Sequence, residues 1–423
     1  GPAGFPATTG RAPSTMPPPR TRSSVPRRTF AFHAANVLAL ALVQLCAIPG
    51  ASASQWTYQP AICGSQSCAS AAPTLAPWQK DVRALQALWR DCGNAYIQMF
   101  LAMKGSIWTD VFLFDGTQAE WTALCSDGAA EIRCTADGRV WHLAPNADDL
   151  QLGCPKGLPI APELEDLTEV TEVAMSGIFG SWSPNLDVND VAASLVTLQK
   201  LRRLDLSDNA LVGELHRSTA AAVQIESLFL NDNGLTALDL GGFVALEEIH
   251  LADNQLRGPL PDDWSILKNL KILEAPRNPK LAASSLPAAW FAADGMTALE
   301  TLDLSACSLT GTLPNGVGNL GDLKLKSIKL ADNDFHGPAP PNLLTAEDDL
   351  EHVDLHNNNL TGPMPAGSPG VYLKLMNLAD NKMTGSPPMF TNANVRVPPH
   401  THTPPKYPNT TQILTCSPTR SCS

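Results

Sequence analysis

The sequence predicts an α/β solenoid. Short coils, each opening on a strand, stack so that the strands form one parallel sheet along a concave side, and a disulfide-stabilised cap closes the N-terminal end. Three observations point there. The pattern apolar-x-x-apolar-x-Leu-x-x-Asn recurs eight times, usually followed by x-Leu-x-Gly-x-Leu-Pro, most clearly at 201–215 (LRRLDLSDNALVGEL) and 299–314 (LETLDLSACSLTGTLP). The copies begin at Leu201, Ile225, Leu246, Leu270, Leu299, Leu325, Leu350 and Leu373, between 21 and 29 residues apart. Cys307 alone lies within a copy; Cys46 falls in the N-terminal apolar run and the other eight cysteines lie before or after the copies. Self-similarity at this period marks a solenoid, whose extended surface binds more often than it transforms.

Each slot of the copy has a physical reason. The Leu-x-Leu pair alternates with period two, which reads as a short strand with one face buried. After the strand the chain turns, leaving backbone groups facing the interior. A buried Asn amide both donates and accepts, so a column of Asn satisfies them coil by coil. The column reads Asn209, Asn233, Asn254, Asn278, Cys307, Asn333, Asn358 and Asn381. Cys307 fits it as a small buried weak donor, a free structural thiol. Asp208, Asp232, Asp253, Asp332 and Asp380 precede column residues, and turn-forming side chains explain Asp there more simply than a bound cation does. The Leu-x-Gly-x-Leu-Pro half supplies an apolar anchor, a tight turn at Gly and a Pro that restricts the backbone.

The segments LDLSDNALVGEL, IHLADNQLRGPLP, LDLSACSLTGTLP and VDLHNNNLTGPMP resemble the plant-type extracellular leucine-rich repeat family, over roughly 170–388. Surface antigens of trypanosomatid parasites share this repeat, and Gly311–Pro314 is similar to theirs. The resemblance implies a right-handed superhelix and says nothing specific about a ligand. Some copies depart from the pattern. Ala237 stands where Gly is expected, Pro276 should disturb the end of the fourth strand, and 281–297 is an insert. A degenerate copy lies at 158–178, so 158–388 holds one degenerate and eight regular copies. Residues 77–157 resemble the family's N-terminal cap: a helix with Val82, Leu85, Leu88 and Trp89 at helical spacing, then Trp121, Cys125, Cys134 and Gly138-Arg139-Val140 entering the first strand. That likeness implies a Cys125–Cys134 bridge. For Cys63, Cys68, Cys92 and Cys154 the pairing stays open, as it does for Cys416 and Cys422 in the tail.

Residues 1–53 read as upstream sequence and a signal peptide starting at Met16: a Pro/Arg-rich stretch, an apolar run from Phe30 to Ile48, then Ala51-Ser52-Ala53. An uncleaved anchor is the alternative, because about 20 apolar residues span a bilayer; His33, Asn36 and Gln44 inside the run argue against it. Residues 54–76 form a loose leader, and 389–423 a Pro/Thr-rich tail. Cysteines at both ends suit disulfide-stapled caps in an oxidising compartment. Their spacings are not Cys-x-x-Cys, which argues against zinc, so neither metal nor cofactor is expected. Asn359 and Asn409 head Asn-x-Thr glycan acceptors. The chain carries −12, and the five Arg of 1–53 have no acidic counterpart there, so the remainder carries −17. Such a charge disfavours nucleic acid and anionic membranes and could favour basic partners.

Candidate binding residues are those that alternate outward from the strands. The fifth slot reads Asp205, Phe229, His250, Glu274, Asp303, Lys329, Asp354 and Asn377; the third holds Glu248 and His352. An exposed Phe229 beside His250, framed by Glu248 and Glu274, is the leading anchor. Lys329, His352, Asp354 and His356 make a second polar cluster. No Gly-x-Ser-x-Gly, His-Glu-x-x-His or phosphate loop stands in a suitable context, so no enzyme is expected. The expected function is a secreted or cell-surface recognition protein for a protein, peptide or glycan ligand. A structural matrix glycoprotein and an inhibitor of a secreted hydrolase are the alternatives. Membrane attachment would need an uncleaved N-terminal run or an anchor beyond this chain.

Overall fold

The computed structural model describes residues 75–92, 114–126, 132–144, 166–177, 186–195, 198–216, 224–281, 284–318, 324–341, 343, 350–365 and 372–385. The chain divides into two units, 1–70 and 71–423, and every described residue belongs to the second. The expected signal segment, Cys63, Cys68, Cys154, Cys416, Cys422 and Asn409 lie outside the described residues, as does the side chain of Cys92.

The cap begins with α1 (Pro77–Cys92) and α2 (Gln118–Ser126). Thr117 and Glu120 form a capping box at α2: Thr117 N–H donates to Glu120 Oε2 at 2.8 Å, and Glu120 N–H to Thr117 Oγ1 at 3.4 Å. A disulfide joins Cys125 at the end of α2 to Cys134 at the end of β1 (Ile132–Cys134). Trp121 is fully buried and donates its indole N–H to Gly138 O at 2.8 Å. Gly138 has φ +81°, and a Cβ there would meet Trp121 Cδ1 at 3.2 Å, so the turn into β2 (Val140–Leu143) requires glycine.

From β2 the chain coils. β3 (Glu172–Ala174), β4 (Arg203–Asp205), β6 (Ser227–Phe229), β8 (Glu248–His250), β9 (Ile272–Glu274), β10 (Thr301–Asp303), β12 (Ser327–Lys329), β14 (His352–Asp354) and β16 (Leu375–Asn377) follow. They complete an 11-stranded sheet in the order β1-β2-β3-β4-β6-β8-β9-β10-β12-β14-β16, parallel throughout except for β1 against β2. From β4 onward each strand occupies slots three to five of its copy, with the middle residue buried and the slot-six residue, Leu except for Ala275 after β9, buried behind it. That line, from Leu204 through Leu228, Ile249 and Leu273 to Met376, is the sheet side of one continuous core.

The Asn column closes that core. Asn233 Nδ2 donates to Leu206 O of the preceding coil at 3.0 Å and to Leu230 O of its own at 3.1 Å, while its Oδ1 accepts from Leu211 N–H at 2.8 Å. Asn254, Asn278, Asn333, Asn358 and Asn381 repeat the scheme. Cys307 is free and buried, and its Sγ donates to Ala275 O at 3.2 Å. Burial pushes this thiol up to about 11. The preceding Asp208, Asp232, Asp253, Asp332 and Asp380 all lie at φ between 53° and 58°, a left-handed backbone that Asp tolerates better than most side chains.

Two smaller parallel sheets run beside the main one: β5 (Val212–Leu215) with β7 (Gly234–Leu238), and β11 (Thr310–Gly311), β13 (Asp334–Pro338) and β15 (Asn359–Thr361) in that order. Gly311 turns there at φ +92°. Ala237 cannot adopt that turn cheaply, and the β5–β7 register slips at this point instead. Pro276 leaves the register of β9 intact on both sides. In other coils the N–H of this slot bonds a side chain, as Ser207 does with Asp205 Oδ1, so proline removes no ladder bond. The expected disturbance is therefore absent. The connecting segments include α3 (Val188–Leu195) and three 3₁₀ turns. In the insert, Trp290 is fully buried and stacks on Trp264 with centroids 5.7 Å apart.

Candidate functional site

In a parallel sheet with an unshifted register, residues of equal slot stand side by side. Asp205, Phe229, His250 and Glu274 form one such row, and Arg203, Ser227, Glu248 and Ile272 the next. Their side chains turn outward because slot four points into the core.

The row closes on itself around Phe229. The His250 ring lies parallel to the Phe229 ring, with centroids 4.5 Å apart and 7° between planes. The guanidinium of Arg203 lies 4.0 Å from the Phe229 centroid, a cation–π contact. Phe229 is accordingly half-buried between two side chains rather than standing exposed. His250 Nδ1 is 2.9 Å from Glu274 Oε2, and its Nε2 is 4.0 Å from Glu248 Oε2. The hydrogen bond from His250 is the largest influence on Glu274 and holds its carboxyl below the ordinary range against burial; the charges of His250 and Lys329 add to the effect. Asp205 flanks Phe229 on the other side and accepts Ser207 N–H at 3.0 Å. Arg203, Phe229, His250 and Glu274 thus make a continuous polar–aromatic ladder across four coils.

The remaining site residues divide differently. Asp303 is buried rather than open to solvent, and its carboxylate pairs with Lys329 at 3.2 Å. Lys329 therefore turns away from the far polar group. His356 Nδ1 is 2.6 Å from Asp354 Oδ1, and its Nε2 is 3.7 Å from Asp332 Oδ2. Burial alone would lower the His356 pKa, but the hydrogen bond to Asp354 and the charges of Asp354, Asp332 and Asp380 together raise it. His352 is half-buried on β14. Asn359 is exposed on β15, away from the long sheet.

Counting slots within the eight copies missed two features. His142 on β2 and Glu172 on β3 pair at 2.8 Å on the same open face, and only extending the register backwards reaches them. The second slot carries a ladder of ion pairs: Arg202 with Glu226, Glu247 with Lys271, Glu300 with Lys326, and Glu351 with Lys374. Its sign pattern is legible once the copies are aligned. Among the described residues, no three His, Cys, Asp or Glu side chains converge so as to hold a metal ion. No helix among them is long and apolar enough to cross a membrane.

The repeats match the family described as Leucine Rich Repeat at residues 298–320 and 349–369. Receptor-like protein 39 of Arabidopsis thaliana is 28% identical over 221 residues, covering 46% of this chain and 24% of that protein. Receptor-like protein 35 of the same plant is 27% identical over 187 residues, covering 43% and 19%. The chain thus spans about a quarter or less of the length of these relatives. Among solved structures, the Arabidopsis receptor kinase HAESA in complex with the peptide hormone IDA and the co-receptor SERK1 aligns with a TM-score of 0.52 at 21% identity, covering 75% of this chain and 54% of that one. The chain thus carries leucine-rich repeats similar to those of plant receptor-like proteins, and its fold is the one seen in that structure.

Proposed function

We propose that this chain is a non-catalytic recognition module, secreted or displayed at the cell surface, that binds a peptide or an extended protein segment on the open face of the long sheet. One observation carries the reading: the Arg203–Phe229–His250 stack, braced by Glu274. An aromatic ring fixed between a guanidinium and an imidazole, within a polar frame, is the arrangement that concentrates binding energy at interfaces. The ladder is held in place by its own contacts, so little side-chain entropy is lost when a partner docks. HAESA was solved in complex with a peptide hormone, which supports a peptide partner for this fold. A glycan at Asn359 would sit beside the second sheet and leave this face open.

The test is selection of a random peptide library on the secreted, disulfide-intact protein. Selected peptides should bind the parent and lose about 30-fold in affinity or more on the Phe229→Ala/His250→Ala variant. Selected peptides that bind parent and variant alike would remove the open face as the site.

A further inference from the structure

We infer that the segment bound by this face is basic: an extended peptide presenting Lys or Arg side chains to the coils from β3 to β9. The inference rests on the recognition function proposed above and adds the chemistry of the ligand.

The charge of the face is the ground for it. On the outward slots and the adjoining turn of these coils stand Glu172, Asp205, Asp208, Asp232, Glu248, Asp253 and Glu274. Their cationic counterparts on the same positions are Arg203 and Arg277. Arg277 is already committed to Asp253, with its Nε 2.7 Å from Asp253 Oδ1. Arg203 lies on Phe229. Asp208 and Asp232 are exposed on a left-handed turn, and Asp205 and Glu248 are half-exposed beside the aromatic stack. The surplus of carboxylates is therefore not cancelled within the ladder. A second copy of this chain, itself strongly acidic, would be repelled by such a face, as would a polyanion.

The dimensions fit an extended segment. Strands β3, β4, β6, β8 and β9 are neighbours, and at about 4.8 Å between neighbours they span about 20 Å, which about six extended residues cover. The Phe229–His250 pair lies in the middle of that span. The bound segment would thus place its central side chain against the aromatic stack and its cationic side chains against the flanking carboxylates.

The experiment uses the full chain and two labelled peptides of about eight residues, one alternating Arg with Ser and one with Glu in place of every Arg, followed by fluorescence anisotropy. The first protein variant combines Asp205→Asn, Asp208→Asn, Asp232→Asn and Glu248→Gln. Asn keeps the left-handed turns and the Asp205 acceptor, so the coils should survive. The second variant combines Asp190→Asn, Asp262→Asn, Asp263→Asn and Asp294→Asn on the connecting segments, with the same change in net charge. The Arg peptide should bind the parent more tightly at low salt than at about 0.15 M, and the Glu peptide should not bind. The first variant should lose about tenfold, and the second should stay within about twofold. An Arg peptide that ignores the first variant, or that weakens equally on both, overturns the inference. If library peptides depend on Phe229 and His250 yet are not basic, this inference fails while the recognition function stands. If no peptide depends on the open face, both fail.

Discussion

At the scale of single residues, the column and the histidines carry the sharpest expectations. Asn254 is fully buried; it donates to Leu230 O at 2.8 Å and accepts from Leu235 N–H at 3.0 Å. Asn254→Ala should destabilise the protein by about 3 kcal/mol, because buried backbone groups lose their partners. Asn254→Cys should lose less, since a thiol still reaches a carbonyl as Cys307 does. Urea midpoints compare the two. His356 offers a pH test. Its folded pKa is raised above 6.5, so its stabilising contribution is complete below that value and lost as pH rises through the folded pKa. Stability measured by urea against pH should show this loss in the parent, and His356→Gln should flatten it. Column residues are legible in sequence because their spacing is fixed by the coil. The stacking of Phe229 is not, because a slot count says which rows face outward but not that Arg203 folds onto the ring. Nor does it say that Lys329 turns back to bury the carboxylate of Asp303.

At the scale of elements, the cap rests on a buried ion pair. Asp81 on α1 is fully buried; its Oδ2 accepts from Arg139 Nε at 3.0 Å and from Val140 N–H at 2.8 Å. Burial raises the Asp81 pKa despite both bonds, so desolvation is the larger effect. Arg139→Ala should destabilise by about 3–5 kcal/mol, by leaving a buried carboxylate uncompensated. Adding Asp81→Asn should recover part of that, and thermal unfolding reads both. The main strands were readable because Leu-x-Leu alternates on a register that repeats. The second sheets were not. Strands such as Thr310–Gly311 are too short to carry a pattern of their own, and they pair because the glycine turns bring neighbouring coils together at the same height. Helix α3 is not legible in the repeat pattern either. It falls before the first regular copy, and its start is marked by Asp187, whose Oδ1 accepts Asn189 N–H at 2.8 Å as an N-cap.

At the scale of the whole described solenoid, each coil touches only its neighbours, so stability accumulates pair by pair. The second-slot ladder is one such neighbour interaction. Its members are largely exposed, so each pair contributes little. Lys326→Glu should destabilise by about 1 kcal/mol by facing Glu300, and Glu300→Lys/Lys326→Glu should restore stability. Double-mutant cycles at low and high salt read this. The open face is a different kind of surface: its aromatic stack and its carboxylates are not needed to close the core. The most direct test of that distinction is photo-crosslinking of a labelled Arg/Ser peptide to the full chain, mapped by mass spectrometry. Crosslinks confined to the outward positions between Glu172 and Arg277 are the expected result. Crosslinks on β11, β13 and β15 or on the cap, with that stretch unmarked, would contradict it.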